Sequence, residues 1–281
     1  MAETKAPRGP KAEPAPPVGV FELTYPPRVM NLQWRLPRPE VDMGIDIRGN
    51  LIDFAKHLAE GPCPCYLLSL LPAHSGSRRI WLCWLYNAFR EPEAENAYWR
   101  GQGEPEFLRE HVDINRRLAR MVQDGRDYWT FLRDDLSYRP AVSAAEFATT
   151  RFMQIEEVHV RPGRLSEFGE LQTKLAEAYA AASVEQPAWV YEVYFGGPAT
   201  TFQIWRPYSS FSTLDQVPEM RRHVDRALGD DGRALVSDRS VAAIAESDIT
   251  MYSINPGGTY ISAEIADAAP QFWKSRAHVF P

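Results

Sequence analysis

The sequence predicts an α+β chain built from two copies of one βαββαβ unit, whose halves pack into a single pseudo-symmetric body. Three observations carry this. The chain matches itself at a nearly constant offset, each half runs through the same order of strand-like and helix-like segments, and bulky aromatics occupy both faces of several strands.

The self-match comes first. Arg28-Val29-Met30-Asn31-Leu32 answers Arg151-Phe152-Met153-Gln154-Ile155 at an offset of 123, and Arg38-Pro39 answers Arg161-Pro162 at the same offset. Tyr86 and Phe89 answer Tyr208 and Phe211 at 122, and His111-Val112-Asp113 answers His223-Val224-Asp225 at 112. Ten extra residues are therefore expected in the first half, around Glu91 to Pro105. A repeat of this length marks one supersecondary unit used twice.

The second half reads most clearly. Phe152 to Val160 is β-rich and stops at Arg161-Pro162-Gly163, a turn signal. Leu165, Phe168, Leu171, Leu175, Tyr179 and Ala182 recur at steps of three and four, one apolar helix face. Ala188 to Phe195 is a strand of Val and aromatics. Gly196-Gly197-Pro198 turns it into a returning strand over 200–205. Residues 210–245 are helical in pieces, broken at Asp230-Asp231-Gly232, and Ser247 to Ile254 is the last strand. The first half predicts strands near 28–36, 64–72, 78–87 and 126–134, with helices near 46–59 and over 91–123.

This order is the split βαβ, or ferredoxin-like, arrangement. Its helices lie on one face of an antiparallel sheet, so the other face needs a cover, and the simplest cover is the second sheet. Trp34, Trp81, Trp84 and Trp129, with Trp189, Tyr191 and Trp205, are more rings than one face can use. Most are assigned to the space between the sheets, where at about 25 cal/mol per Å² they contribute strongly to stability. The expected organisation is a disordered arm over 1–26, repeats over 27–140 and 141–256, and a tail over 257–281 that packs on the body through Phe272, Trp273 and Phe280.

Composition narrows the function. A net charge of −6 lacks the basic excess that nucleic acid requires. No apolar run approaches the roughly 20 residues of a membrane span, and the Pro-, Ala- and Lys-rich N-terminus has no hydrophobic leader region. Expected partners are therefore neither nucleic acid nor membrane, and the chain reads as cytoplasmic as written, or periplasmic or secreted if translation starts upstream. Cys63, Cys65 and Cys83 are odd in number and lack a second pair at zinc spacing. Cys65 and Cys83 read as buried apolar residues, and no metal site is expected. Nucleotide-binding and nucleophile-elbow motifs are absent.

Several segments carry a family resemblance. Arg133 to Pro140 (RDDLSYRP), Val158 to Gly163 (VHVRPG), Ala188 to Val193 (AWVYEV) and Asp267 to Trp273 (DAAPQFW) resemble an uncharacterised bacterial family common in acidobacteria. Each half is also similar to a dimeric α/β-barrel domain, the group that includes antibiotic-biosynthesis-monooxygenase-like and NIPSNAP-like proteins. The resemblance implies a fold and no single reaction. It allows a complete barrel in one chain, as a monomeric pseudo-dimer or a homo-oligomer of it.

Candidate chemistry follows from strand periodicity. Met153, Ile155, Glu157 and His159 share one face of their strand. Glu157, His159 or Glu192 placed in an inter-sheet cavity could do acid–base work, since an imidazole titrates near neutrality and a carboxylate can set its tautomer. The duller reading leaves them solvated at strand ends. The cavity itself is assigned to Trp34, Trp81, Trp189, Tyr191 and Trp205, with a small apolar or aromatic molecule as its ligand. One alternative is a cofactor-independent monooxygenase-like enzyme using His159 with Glu157 or Glu192. Another follows the resemblance to chlorite-dismutase-like haem proteins, in which a helix His of the second half holds iron, and here matches His223. Apart from that alternative no cofactor is expected.

Overall fold

The computed structural model describes residues 21–61, 65–73, 77–102 and 104–274. In the first half, β1 (Val29–Pro37), α1 (Arg48–Glu60), β2 (Leu67–Pro72), β3 (Ile80–Tyr86), α2 (Glu91–Ala97), α3 (Pro105–Met121) and β4 (Val122–Leu132) follow in order. A short helix, α4 (Ala144–Ala148), leads into the second half. There the order is β5 (Phe152–Val160), α5 (Leu165–Ala181), β6 (Trp189–Phe195), β7 (Thr201–Tyr208), α6 (Val217–Ala243) and β8 (Ile244–Ile254). Two short helices, α7 (Ala263–Ala268) and α8 (Pro270–Trp273), close the described chain.

The eight strands form a closed barrel in the order β1-β3-β2-β8-β5-β7-β6-β4. Every neighbouring pair is antiparallel. Each half supplies four adjacent strands, and the halves meet at two seams, β2 with β8 and β4 with β6. The expected dimeric α/β-barrel architecture is thus present within one chain. Closure matters physically, because only a closed sheet leaves no unpaired edge.

The offset of 123 holds where it was read. Val29 and Phe152 each open the first strand of their half, and Tyr86 and Tyr208 each close the third. The His-Val-Asp match does not hold. Tyr86 to Val122 and Tyr208 to Ile244 both span 36 positions, so the first half has no insertion. His111 lies on α3, the second helix of its crossover, whereas His223 lies on the first leg of α6. These two histidines are not equivalent. The break in α6 falls at Gly229 (φ 63°) rather than over 230–232. That left-handed backbone is one that glycine adopts without steric cost.

Alternation along the strands sorts three apolar layers. The barrel interior takes Met30, Leu32 and Trp34 of β1, Trp81, Cys83 and Leu85 of β3, and Trp189, Tyr191 and Val193 of β6, among others. The first helix layer packs Leu51, Phe54 and Leu58 of α1 and Ile114 and Leu118 of α3 on Ile80, Leu82 and Trp84. The second packs Phe168 and Leu171 of α5 on Val158, Val160, Val190, Phe202 and Ile204. Cys65 and Cys83 are buried as expected, and Cys63 lies outside the described residues.

One barrel end is closed by segments outside the repeats. Leu23, Tyr25, Phe147, Ile265 and Trp273 all join the interior cluster. The Tyr25 and Phe147 rings are 5.0 Å apart, and Trp273 Nε1 donates to Ala148 O at 2.9 Å. The last residues of the stretch read as an arm are therefore packed, while residues 1–20 and Phe280 lie outside the described residues. No described helix is long and apolar enough to cross a membrane.

Candidate functional site

At the barrel mouth where β5 ends and β7 begins, these two strands build a polar chain. Cross-strand pairing puts His159 beside Thr201 and Glu246, and Glu157 beside Gln203 and Asp248. Residues paired this way share a face. Trp205 Nε1 donates to Gln203 Oε1 at 3.1 Å, and Gln203 Nε2 donates to Glu157 Oε2 at 3.2 Å. The other carboxylate oxygen of Glu157 is 3.6 Å from His159 Nε2. His159 Nδ1 is 3.0 Å from Thr201 Oγ1, whose own proton goes to Pro198 O at 2.8 Å.

Two arrangements satisfy the His159–Thr201 contact, and the one that also satisfies Pro198 O has the Thr201 hydroxyl donating to that carbonyl and accepting from Nδ1–H of His159. The neutral ring then presents a bare Nε2 beside Glu157, the arrangement of a general base whose conjugate acid is met by a carboxylate. Gln203 and Trp205 are fully buried, whereas the Glu157 and His159 side chains are 20% and 29% exposed. The chain thus runs from sealed core to solvent.

At the other end of the second half lies a cleft of about 1040 Å³. Its walls come from Tyr138 to Thr150, the loop from Ala182 to Pro187, the end of β7 and the first leg of α6. Trp189 and Phe147, ring centroids 6.2 Å apart and stacked, bring the aromatic interior to its surface. Two rim residues, Arg139 (φ 49°) and Ser183 (φ 52°), hold left-handed backbone without being glycine. Such conformations cost roughly 1–3 kcal/mol and persist only where surrounding contacts enforce them. Here the enforcement is visible. Arg139 Nη2 donates to Glu146 at 2.8 Å, its Nη1 donates to Glu185 O, and its carbonyl accepts from Trp189 Nε1 at 3.1 Å. Tyr138 OH donates to Val184 O at 2.7 Å, tying the two rims together.

The sequence-predicted residues separate into three groups. Glu157 and His159 stand side by side, 3.6 Å apart. Trp34, Trp81, Trp189, Tyr191 and Trp205 all face the barrel interior, but they are at most 8% exposed and pack into one cluster. Only Trp189 of the five lines the cleft, so the rings fill the space between the sheets where a cavity was expected. Glu192 is on the opposite face of the wall. Its neighbours Tyr191 and Val193 turn inward, and its carboxylate meets Arg133 Nη1 at 2.6 Å outside. It cannot join His159.

His223 sits on the cleft rim, about half exposed, with Nε2 3.8 Å from Glu219. The space beneath this leg of α6 is filled by Val224, Met220 and Leu228 against Ala178, Val184 and Tyr179. The cleft lining also carries Glu146, Glu185 and Glu219, three carboxylates against the single guanidinium of Arg139. A haem needs two apolar faces and neutralised propionates, and these residues do not fit it.

One polar cluster has no sequence motif. In the first helix layer, Glu95 is buried and accepts from Tyr86 OH and, at 3.0 Å, from Trp99 Nε1. Burial raises its carboxyl above the usual carboxylate range, against the pull of those two donors. His57, 2% exposed, stacks on Phe107 at 3.9 Å, and His111 stacks on Trp99 at 3.9 Å. Burial, helped by His57, pushes the His111 imidazole down to about 4. His57 occupies a core place on α1 beside Phe54 and Leu58, so only helical periodicity could have found it.

Among known proteins, no family model matches the chain, and no curated relative does. Solved structures do. A Fusobacterium nucleatum protein assigned as a monooxygenase superposes with a TM-score of 0.52 at 9% identity, over 82% of this chain and 93% of that one. An anthrone oxidase-like protein gives 0.50 at 13% identity, over 82% and 92%. A chlorite dismutase from Candidatus Nitrospira defluvii gives 0.46 at 7% identity, over 87% and 95%. At these identities the likeness is one of fold, the dimeric α/β-barrel.

Proposed function

We propose that the chain binds a small organic molecule with an aromatic or apolar body in the end cleft, against Trp189 and Phe147. The observation that carries this is a cleft of about 1040 Å³ that is lined in part by Trp189 and Phe147 of the buried aromatic core and whose rim holds two non-glycine residues with left-handed backbone. Pockets of about this size suit small ligands, and about half of this lining is polar or charged, so a ligand with polar substituents on its apolar body fits best. Arg139, Glu146 and His223 are the groups that would orient a polar substituent. The test is fluorescence titration with a planar tricyclic ketone such as anthrone. Trp189→Ala is expected to weaken binding about tenfold or more, and Glu157→Gln to leave it unchanged. Equal binding by wild type and Trp189→Ala defeats the reading.

A second reading rests on the tautomer at the mouth. With Nε2 bare, His159 could take a proton from an activated CH₂ or phenol, and the resulting carbanion or phenolate would react with O₂ without a cofactor. For a CH₂ next to a carbonyl-bearing ring, O₂ leaves one atom as the new C=O and the other as water, and a hydroquinone becomes its quinone as O₂ becomes hydrogen peroxide, so both steps balance without a further reductant. Oxygen uptake with anthrone or a hydroquinone, lost in His159→Ala and reduced in Glu157→Gln, supports it. Uptake that survives both substitutions removes it.

A further inference from the structure

The outer face of the β4–β6 seam carries an aromatic platform that neither reading uses. Phe89, Tyr194 and Phe195 are 43%, 65% and 48% exposed. Trp129 lies 5.7 Å from Phe195 and 6.3 Å from Phe89, ring centre to ring centre, and Tyr194 lies 5.9 Å from both Phe89 and Phe131. A β-bulge helps to make it. Trp129 pairs with Phe195 but Thr130 pairs with Val193, so Tyr194 is an extra residue turned outward. The duplication supplies an internal control. At the other seam the places of Trp129, Phe131 and Phe195 are held by Met251, Ser253 and Ala73, where Ala73 N donates to Met251 O without a bulge. Fold does not require the platform, because the equivalent seam closes without one.

What could cover it is set by where the chain enters. Phe21 stacks on Tyr86 at 6.3 Å, and Tyr86 stacks on Trp129 at 5.8 Å. The twenty residues before Phe21 contain five prolines, three of them at Pro14, Pro16 and Pro17. Extended proline-rich chain advances about 3.1 Å per residue. Four residues of such chain reach about 12 Å, so the sequence before Phe21 is long enough to span the distance from Phe21 past Tyr86 to Trp129. Proline-rich segments bind aromatic-lined surfaces because little conformational freedom is left to lose. Contiguous exposed aromatics of this kind mark interaction surfaces.

We propose that the platform of Phe89, Trp129, Tyr194 and Phe195 is the docking site for residues Pro14–Val18 of the same chain. The test uses full-length protein. Trypsin cleavage after Lys11 is expected to be slow, and Phe89→Ser with Tyr194→Ser, both exposed and outside the core clusters, to speed it about tenfold while leaving the unfolding midpoint nearly unchanged. In a second measurement, Tyr194→p-benzoylphenylalanine keeps an aromatic ring and is photolysed across a hundredfold range of concentration. Cross-links to residues 12–20 at monomer mass, independent of dilution, are the expected result. Unchanged cleavage together with no cross-link to the arm overturns the proposal. So does a cross-link to the body of a second chain, which makes the platform a self-association face, or an arm cross-link that disappears on dilution, which places the arm of another copy there.

Discussion

The two helix layers answer to one topology and differ in chemistry. The second layer is apolar where α5 meets the sheet, with Phe168 and Phe202 rings 4.5 Å apart at its centre. The first holds Glu95, His57, His111 and Asn50 among its rings. His57 Nε2 and His111 Nδ1 have no hydrogen-bond partner, and His57 Nδ1 has only Glu110 at 3.3 Å. A duplicated βαββαβ frame therefore tolerates two interiors: the second layer keeps its charges paired, with Arg206 on Glu156 at 3.1 Å, while the first shelters imidazoles whose ring nitrogens lack hydrogen-bond partners. Buried groups without partners cost stability, so the second layer should be the stronger of the two.

Substitutions can break or sharpen that contrast. The largest effect is expected from Phe168→Ala, which opens a void in the apolar layer and should cost about 3–5 kcal/mol in denaturant unfolding. A cost under 1 kcal/mol would mean that this layer is not the tighter one. His57→Leu should move the opposite way, raising stability by about 1 kcal/mol, because a buried imidazole whose Nε2 has no hydrogen-bond partner is replaced by an apolar group of similar length. Acid should act on the first layer. His111 is held neutral down to about pH 4, whereas an unfolded histidine takes a proton near 6.5. Below pH 6.5 the unfolded state binds the proton and the folded state refuses it, so stability falls with pH and levels near 4. Denaturant midpoints at pH 7 and pH 4.5 should differ in wild type and differ less in His111→Phe. The smallest effect belongs to Glu192→Gln. It weakens a partly exposed pair with Arg133, and should cost under about 1 kcal/mol and leave any His159-dependent activity intact.

Much of the frame was legible in residue patterns. Alternating Val, Ile and aromatics fixed all eight strands to within a few residues, because a strand buried on both faces has little freedom in composition. The same property hid the orientation of β6. In Trp189-Val190-Tyr191-Glu192-Val193 both faces are apolar, so nothing local says that Glu192 points away from Glu157. The excess of tryptophan was visible, but side-chain volume alone does not tell a lined cavity from a filled one. The His-Val-Asp match misled because three residues recur easily on solvated helices, while the spacing between strands is constrained by the barrel. The mouth relay was half visible. Glu157 and His159 stand two apart on one strand, but Gln203, Thr201 and Trp205 reach them only through the pairing of β5 with β7.

Both seams of the barrel join strands of one polypeptide. In a barrel assembled from two identical subunits, closure depends on protein concentration, and each substitution alters both sheets at once. Here the second sheet is tethered, so its local concentration is set by the connection through α4 and does not fall when the protein is scarce. Each half is also free to change alone. A general base could therefore arise at one mouth and an aromatic platform at one seam without a twin being forced on the opposite side.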